Sequence, residues 1–165
     1  LCHAIKIALD LKINKEIIEK TIPKIYFEGR FQYLVKGKIR NHLQKSEKIM
    51  LDGAHAEIDA KNLADYLKSI MIPKYGIWAM MKNKDPDLFI KKFKGIFKKI
   101  IAIPIKNEQA SMKSEELYQI ALKNKFNVRR ANSFDQALKM VSSKERKLIV
   151  CFGSLYNVGN ILNKN

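Results

Sequence analysis

Apolar and polar positions repeat with two periods along this chain of 165 residues. Leu1, Ala4, Ile5, Ala8 and Leu11 recur at helical spacing and predict an amphipathic opening helix. Lys15 to Lys20 reads as a second helical segment. Thr21-Ile22-Pro23 ends it, because a residue before proline avoids the α region. Tyr33-Leu34-Val35 is a short apolar piece, and Lys36 to Lys48 carries so little apolar pattern that it reads as a loop or hairpin. Apolar runs then follow at Ile49-Met50-Leu51, Tyr75 to Met81, Ile100 to Ile103 and Leu148 to Phe152, with Phe126 to Arg129 a further short strand candidate. Such runs suit strands covered on both faces.

Helical faces lie between the runs. They are Ala60, Leu63, Ala64, Leu67 and Met71; Phe89, Phe93, Ile96 and Phe97; Leu117, Ile120 and Ala121; and Phe134, Ala137, Leu138 and Val141. Start signals precede three of them. Asp85-Pro86 supplies an N-cap followed by proline, Ser114-Glu115-Glu116 a cap with acidic residues, and Ser133 with Gln136 a capping box. Gly153-Ser154 turns into a closing helix. Strand and helix alternating about five times predict an α/β fold, a mostly parallel sheet with helices on both faces. A boundary at Thr21 to Gly29 separates short leading helices, residues 1–28, from the α/β body, residues 29–165. In such a sheet, ligands sit outside the carboxyl ends of the strands. Asp52-Gly53-Ala54-His55, Met81 to Asp85, Pro104 to Ser111 and Gly153-Ser154-Leu155-Tyr156 should therefore share one rim.

Composition narrows the classes. Two cysteines, Cys2 and Cys151, cannot form a disulfide framework, so nothing points to secretion. No apolar run approaches the roughly 20 residues that span a bilayer, so no membrane is expected and a cytoplasmic location is. The net charge of +16 suits anionic partners, but only 5 of the 32 cations are arginine. Base-reading and phosphate-gripping surfaces favour arginine, and lysine-rich charge alongside abundant Ile and Asn reads as compositional drift over the surface. The chain begins with Leu rather than Met, and a piece of something longer is the simpler reading.

Chemistry is concentrated in few places. There is no G-x-x-x-x-G-K-[ST], no G-x-G-x-x-G, no C-x-x-C, no H-E-x-x-H and no G-x-S-x-G. His3, His42 and His55 are too scattered for a metal site. In Asp52-Gly53-Ala54-His55, Gly53 permits close backbone approach, Asp52 can accept from ribose hydroxyls, and His55 can donate to a phosphate or carboxylate. The same two residues could instead cap the helix that follows. Ser154 could bind an anion or act as an N-cap. Arg30 could clamp a phosphate with its forked donors, or be solvated.

Taken in order, Gly29-Arg30-Phe31-Gln32, Leu51-Asp52-Gly53-Ala54-His55, Met80-Met81-Lys82-Asn83-Lys84-Asp85 and Cys151-Phe152-Gly153-Ser154-Leu155-Tyr156-Asn157-Val158-Gly159 resemble the C-terminal part of folylpolyglutamate synthase/dihydrofolate synthase, of the Mur ligase superfamily. Ala110-Ser111 with Ser114-Glu115-Glu116-Leu117 sits where that family has a similar segment. The resemblance covers nearly the whole chain. It implies a Rossmann-like C-terminal domain of the Mur ligase type, closing over an ATPase domain of which residues 1–28 are the helical tail. It also implies ATP and Mg²⁺ as cofactors, and ligation of L-glutamate to a folate or dihydropteroate through an acyl phosphate. By position, Arg30 and Asp52 match ATP-contacting residues. His55 matches the catalytic-site histidine near the phosphates, and Ser154 and Tyr156 match the glutamate-binding segment.

Two departures accompany the match. The family continues Asn-Pro after the histidine, where this chain has Ala56-Glu57, and this puts a carboxylate beside a phosphate site. The phosphate loop, the Mg²⁺ ligands and most of the folate site belong to the family's N-terminal domain. The expectation is a chain inactive until an ATPase domain is supplied, from the same protein or a separate partner chain. The alternatives are a basic, non-enzymatic nucleic-acid-binding module, and a decayed remnant without activity; under the ligase reading no specific nucleic acid is expected as a partner.

Overall fold

The computed structural model describes residues 2–165, so Leu1, the first position of the opening apolar face, lies outside the described residues. The leading piece holds α1 (Cys2–Asp10), α2 (Lys15–Thr21) and a 3-10 turn, Ile22–Lys24. Asn14 caps α2 by accepting from the Glu16 N–H at 2.8 Å. No residue of α2 or of the turn is buried. Ile5 and Ala8 of the opening face are partly covered where α1 meets Ile18 of α2, while Ile7, Leu9, Leu11, Ile17, Ile25 and Phe27 are exposed.

The body follows as β1 (Gln32–Tyr33), α3 (Lys38–His42), β2 (Glu47–Asp52), α4 (Glu57–Lys68), β3 (Lys74–Trp78), α5 (Pro86–Lys91), β4 (Lys99–Ala102), α6 (Ser114–Lys123), β5 (Val128–Arg130), α7 (Phe134–Val141), β6 (Lys147–Phe152) and α8 (Leu155–Leu162). The six strands form one sheet in the order β1-β2-β6-β3-β4-β5. Only β1 runs antiparallel. The α/β sheet with helices on both faces is the one the alternation predicts.

Strand side chains point to opposite faces in turn, and the two cores follow that period. Met50, Trp78, Ile100, Leu148, Val150 and Phe152 pack under α4, α5 and α6, whose buried residues include Leu63, Leu67, Phe89 and Leu117. Ile49, Leu51, Ile77, Ile101, Ile149 and Cys151 pack under α3, α7 and α8, with Ile39, Phe134, Leu138, Val158 and Ile161. β6 is buried along its whole length, as a central strand between two helical layers must be.

Four local readings need correction. Lys36 to Lys48 is not a bare loop: Ile39 is buried and anchors α3, a helix of five residues too short to show a period. Met71 lies beyond α4 and is 93% exposed. Ser114 is the first residue of α6 rather than its cap; Lys113 holds the cap position, and its N–H donates to the Glu116 carboxylate at 2.6 Å. Ser133 does cap α7, accepting from the Gln136 N–H, but the Gln136 side chain takes the N–H of Asn132, one residue before the expected partner.

The bottom of the sheet holds a buried ionic cluster. Glu47 accepts from Ser142 Oγ at 2.7 Å and from the N–H groups of Ser143 at 2.8 Å and Gln44 at 3.0 Å. The Lys147 ammonium lies 3.7 Å from Glu47, donates to the Val141 carbonyl at 2.7 Å and sits over the Tyr75 ring. This cluster joins β2, β6 and the end of α7 at the rim opposite the candidate site.

Candidate functional site

β2, β6, β3 and β4 are parallel, so their carboxyl ends share one rim. The chain leaves β2, β3 and β4 toward the layer of α4, α5 and α6. It leaves β6 toward α8 in the other layer. The turn after β6 is thus the switch point of the sheet, where such folds open a crevice.

Glycines let the loops meet there. A Cβ on Gly53 would lie 2.1 Å from Leu155 Cδ2 and 3.2 Å from its Cα, so the β2 turn packs closely against the first residue of α8. Gly153 has φ +104°, and a Cβ there would meet the Ala79 carbonyl at 2.2 Å. Gly53 donates its N–H to the Gly29 carbonyl at 2.7 Å, which brings the Gly29-Arg30-Phe31 loop onto the same turn. The neighbouring loops join the rim through Ala79 N–H to the Phe152 carbonyl at 3.2 Å and Lys82 N–H to the Ala110 carbonyl at 2.8 Å. All four segments expected at one rim are found there.

Asp52 organises the cluster. It is 1% exposed. Oδ2 accepts from the Phe31 N–H at 2.9 Å and Oδ1 from the Ala54 N–H at 2.7 Å. Burial pushes its carboxyl above the ordinary range, and those two N–H groups and the Arg30 guanidinium offset the rise only in part. Phe31 is held at φ +46°, a left-handed conformation uncommon for a large side chain, and the bond to Asp52 spans it. Arg30 Nη1 lies 3.7 Å from Asp52 Oδ1 and 3.8 Å from Asp59 Oδ2. Those distances are ionic attraction without hydrogen bonding, so the guanidinium keeps donors for another partner.

His55 Nδ1 is 2.9 Å from the Gly53 carbonyl. A carbonyl only accepts, so the proton sits on Nδ1 in this contact and Nε2 is left for an outside group. Neither Asp52 nor His55 caps α4, whose N-cap is Ala56 with no side-chain bond. The helix-cap reading of that turn is therefore overturned. The N-cap reading of Ser154 holds: its Oγ accepts from the Tyr156 N–H at 3.2 Å, and it is buried. Its hydroxyl proton stays available. Tyr156, on the first turn of α8, is 62% exposed.

Glu57 behaves differently from the expectation of an unfavourable carboxylate beside the site. Its carboxylate pairs with Lys92 Nζ at 2.6 Å, which draws the charge toward α5. Asp59 was missed in the sequence. It lies against Arg30, and its carboxylate stands 3.5 Å from the His55 N–H. Its position two residues into α4 was the available signal, since an acid there can reach back to the turn. Among the described residues no group of His, Cys, Asp and Glu could hold a metal ion, and no helix is long and apolar enough to cross a membrane.

A sheet of this order with helices on both faces defines an α/β domain, and Arg30, Asp52 and His55 cluster at its switch point. The family model for the dihydrofolate synthetase C-terminal domain matches residues 35–164, and the chain belongs to that family. No curated protein matches the sequence. Several solved structures share the fold. E. coli FolC in complex with DHPP and ADP superposes with a TM-score of 0.73 at 19% identity, over 91% of this chain and 34% of that one. A Yersinia pestis bifunctional folylpolyglutamate synthase/dihydrofolate synthase complexed with AMPPNP and Mn ion gives 0.73 at 16% identity, over 91% and 34%. Mycobacterium tuberculosis folylpolyglutamate synthase complexed with ADP and AMPPCP gives 0.75 at 17%, over 92% and 35%. The chain spans about a third of the length of these structures.

Proposed function

We propose that this chain is the part of a folylpolyglutamate/dihydrofolate synthase that helps hold ATP and glutamate for amide ligation to a folate or pteroate carboxylate. The observation that carries the reading is the cluster at the switch point. There the Arg30 loop, the Asp52–His55 turn and the Ser154 turn are tied together by Asp52 and by the Gly53 contacts. Solved proteins of the same fold were obtained with ADP, and one with Mn, AMPPNP and L-glutamate bound.

In this reading Arg30 offers its unused guanidinium donors to the nucleotide phosphates. Asp52 fixes the Arg30 loop, and the second lone pairs of its oxygens accept from nucleotide hydroxyls. His55, whose Nδ1–H goes to the Gly53 carbonyl, accepts a proton on Nε2, and only the imidazolium so formed donates from Nε2 to the anionic groups. The Ser154 hydroxyl and Tyr156 orient glutamate at the start of α8, where free N–H groups favour a carboxylate. ATP and Mg²⁺ would be held mainly by an ATPase domain, which supplies the phosphate loop absent from these 165 residues. Residues 1–28 read as the helical tail of that domain. Their exposed Ile, Leu and Phe side chains support this, since they belong against something apolar.

The test is reconstitution with the ATPase domain of a relative, followed by glutamate-dependent ADP release in the presence of dihydropteroate or a folate. Arg30→Ala and His55→Ala should each lower it by about 10- to 150-fold, the scale of one hydrogen bond to a charged group. Ser154→Ala should raise the glutamate KM more than it lowers kcat. Ligation by the pure chain without any ATPase domain would overturn the division of labour. Full activity in both Arg30→Ala and His55→Ala would overturn the site.

A further inference from the structure

The +16 charge is not spread evenly over the α/β body. The segments that lead into the five parallel strands are 43–48, 68–74, 97–99, 123–127 and 142–147. Together they hold eleven Lys and Arg against two acids. The segments that leave the same strands, 52–59, 79–85, 103–116, 130–135 and 153–156, hold five against eight. Helix dipoles favour such sorting, but they act only within a helix's last turn, and of the eleven cations only Lys68 and Lys123 lie there.

Hydrogen bonds join the five basic segments into one face, at the rim opposite Asp52. Ser46 Oγ donates to the Lys144 carbonyl at 3.1 Å. Leu148 N–H donates to the Pro73 carbonyl, Lys98 N–H to the Lys74 carbonyl and Ile100 N–H to the Asn127 carbonyl, each at 2.9 Å. Both acids of the face are engaged inside it. Glu47 faces Lys147, and Glu145 accepts from Lys98 at 2.8 Å and from Tyr75 Oη at 2.9 Å. Lys45, Lys48, Lys123, Lys125, Lys144 and Arg146 are exposed and make no ion pair among the described residues. Such a face attracts an anionic partner.

Three features favour a lipid surface over nucleic acid. Ten of the eleven cations are lysine, whose point charge suits a layer of headgroups, whereas phosphate and base recognition favours the arginine fork. These segments expose no large aromatic side chain on which a base could stack. Apolar tips also stand among the lysines. Met71, between Lys68 and Lys74, is 93% exposed. Its neighbours Ile70 and Ile72 pack against the core, and Lys74 Nζ donates to the Ile70 carbonyl at 2.5 Å, so the loop is fixed with Met71 outward. Leu122, beside Lys123, is a second exposed tip. Such side chains gain from entering a headgroup layer and gain nothing against a phosphate backbone.

We propose that this rim is a docking face for an anionic lipid surface. Its lysines lie against headgroup phosphates, Met71 enters the headgroup layer, and the Asp52 rim faces water. The contact is peripheral and needs no spanning helix. It is independent of the ligase reading, which uses the other rim.

The experiment is cosedimentation of the full chain with phosphatidylcholine vesicles, with and without phosphatidylglycerol. Binding should require the anionic lipid and fall as salt rises. Lys123→Gln, Lys125→Gln and Lys144→Gln together should weaken it at least tenfold, since each lysine at such a surface is worth about fivefold. Lys82→Gln, Lys106→Gln and Lys113→Gln together remove equal charge from the other rim, and should weaken it less than about threefold because screening separates them from the lipid. Met71→Ser should weaken it by about threefold or more, through lost apolar burial. Equal affinity for neutral and anionic vesicles, or equal weakening by the two triple variants, would overturn the proposal. So would tighter binding to a DNA or RNA oligomer that the first triple variant abolishes and Met71→Ser leaves unchanged, which assigns the face to nucleic acid.

Discussion

Replacing Asp52 by asparagine tests whether this carboxylate is the tie that builds the switch-point cluster. Both of its oxygens accept backbone N–H groups, from Phe31 at 2.9 Å and Ala54 at 2.7 Å. An amide has a single acceptor oxygen, so in Asp52→Asn one N–H must face an NH₂ group. The lost bond and the unpaired donor together cost about 1–3 kcal/mol. For a chain of this size that lowers Tm by about 2–12 °C. The change would also loosen the Arg30 loop, because the Phe31 bond is what holds a non-glycine residue at positive φ.

The pH dependence gives a second readout. Burial raises the folded-state pKa of Asp52 above its ordinary value of 3.8. The folded chain then holds this proton at a pH where the unfolded chain has released it. The group's contribution to stability is fully present below the unfolded value and is lost as pH rises through the folded one. The asparagine variant does not titrate there. The stability difference between parent and variant should therefore widen on acidification toward pH 4. Urea unfolding followed by the fluorescence of Trp78, the single tryptophan and fully buried, measures both. A variant as stable as the parent at pH 7, or a gap that narrows as pH falls, would refute the reasoning.

Two further outcomes are expected. Glu47→Gln should cost up to about 3–5 kcal/mol by leaving the buried Lys147 ammonium only the partly exposed Glu145 carboxylate at 3.9 Å, and adding Lys147→Met should recover at least half, as read from urea midpoints; an equally damaged double variant would contradict the pairing. The +16 charge should give DNA or RNA binding that ignores sequence and falls steeply with salt, as counterion release requires; tight binding to one sequence at physiological salt, measured by fluorescence anisotropy, would instead favour a dedicated nucleic-acid function.

Much of the fold was legible because burial writes itself into the sequence. Strands covered on both sides, such as Leu148 to Phe152, must be apolar at every position. Helices such as α7 must show a stripe, and Phe134, Ala137, Leu138 and Val141 show it. The α3 helix was illegible for the same reason, since one buried residue in five makes no period. Asp52, His55, Ser154 and Tyr156 were legible as residues of turns after strands, Arg30 as a lone arginine after a glycine, and all five through the family resemblance. What each side chain does was not.

Whether Asp52 and His55 cap a helix or tie loops together depends on where Phe31 and the Gly53 carbonyl lie. That placement follows from β1 pairing antiparallel with β2, a contact between segments about twenty residues apart. The pairing of Glu57 with Lys92 and the nearness of Asp59 to Arg30 likewise arise where segments distant in the chain meet. Local sequence sets which residues must be hidden and where the chain must turn, because propensity and burial act over a few neighbours. Strand order sets which turns face one another. Here β6 inserts between β2 and β3, and that step alone brings Gly153 and Ser154 beside Asp52. It is decided by the packing of two whole helical layers, an energy spread over the entire chain.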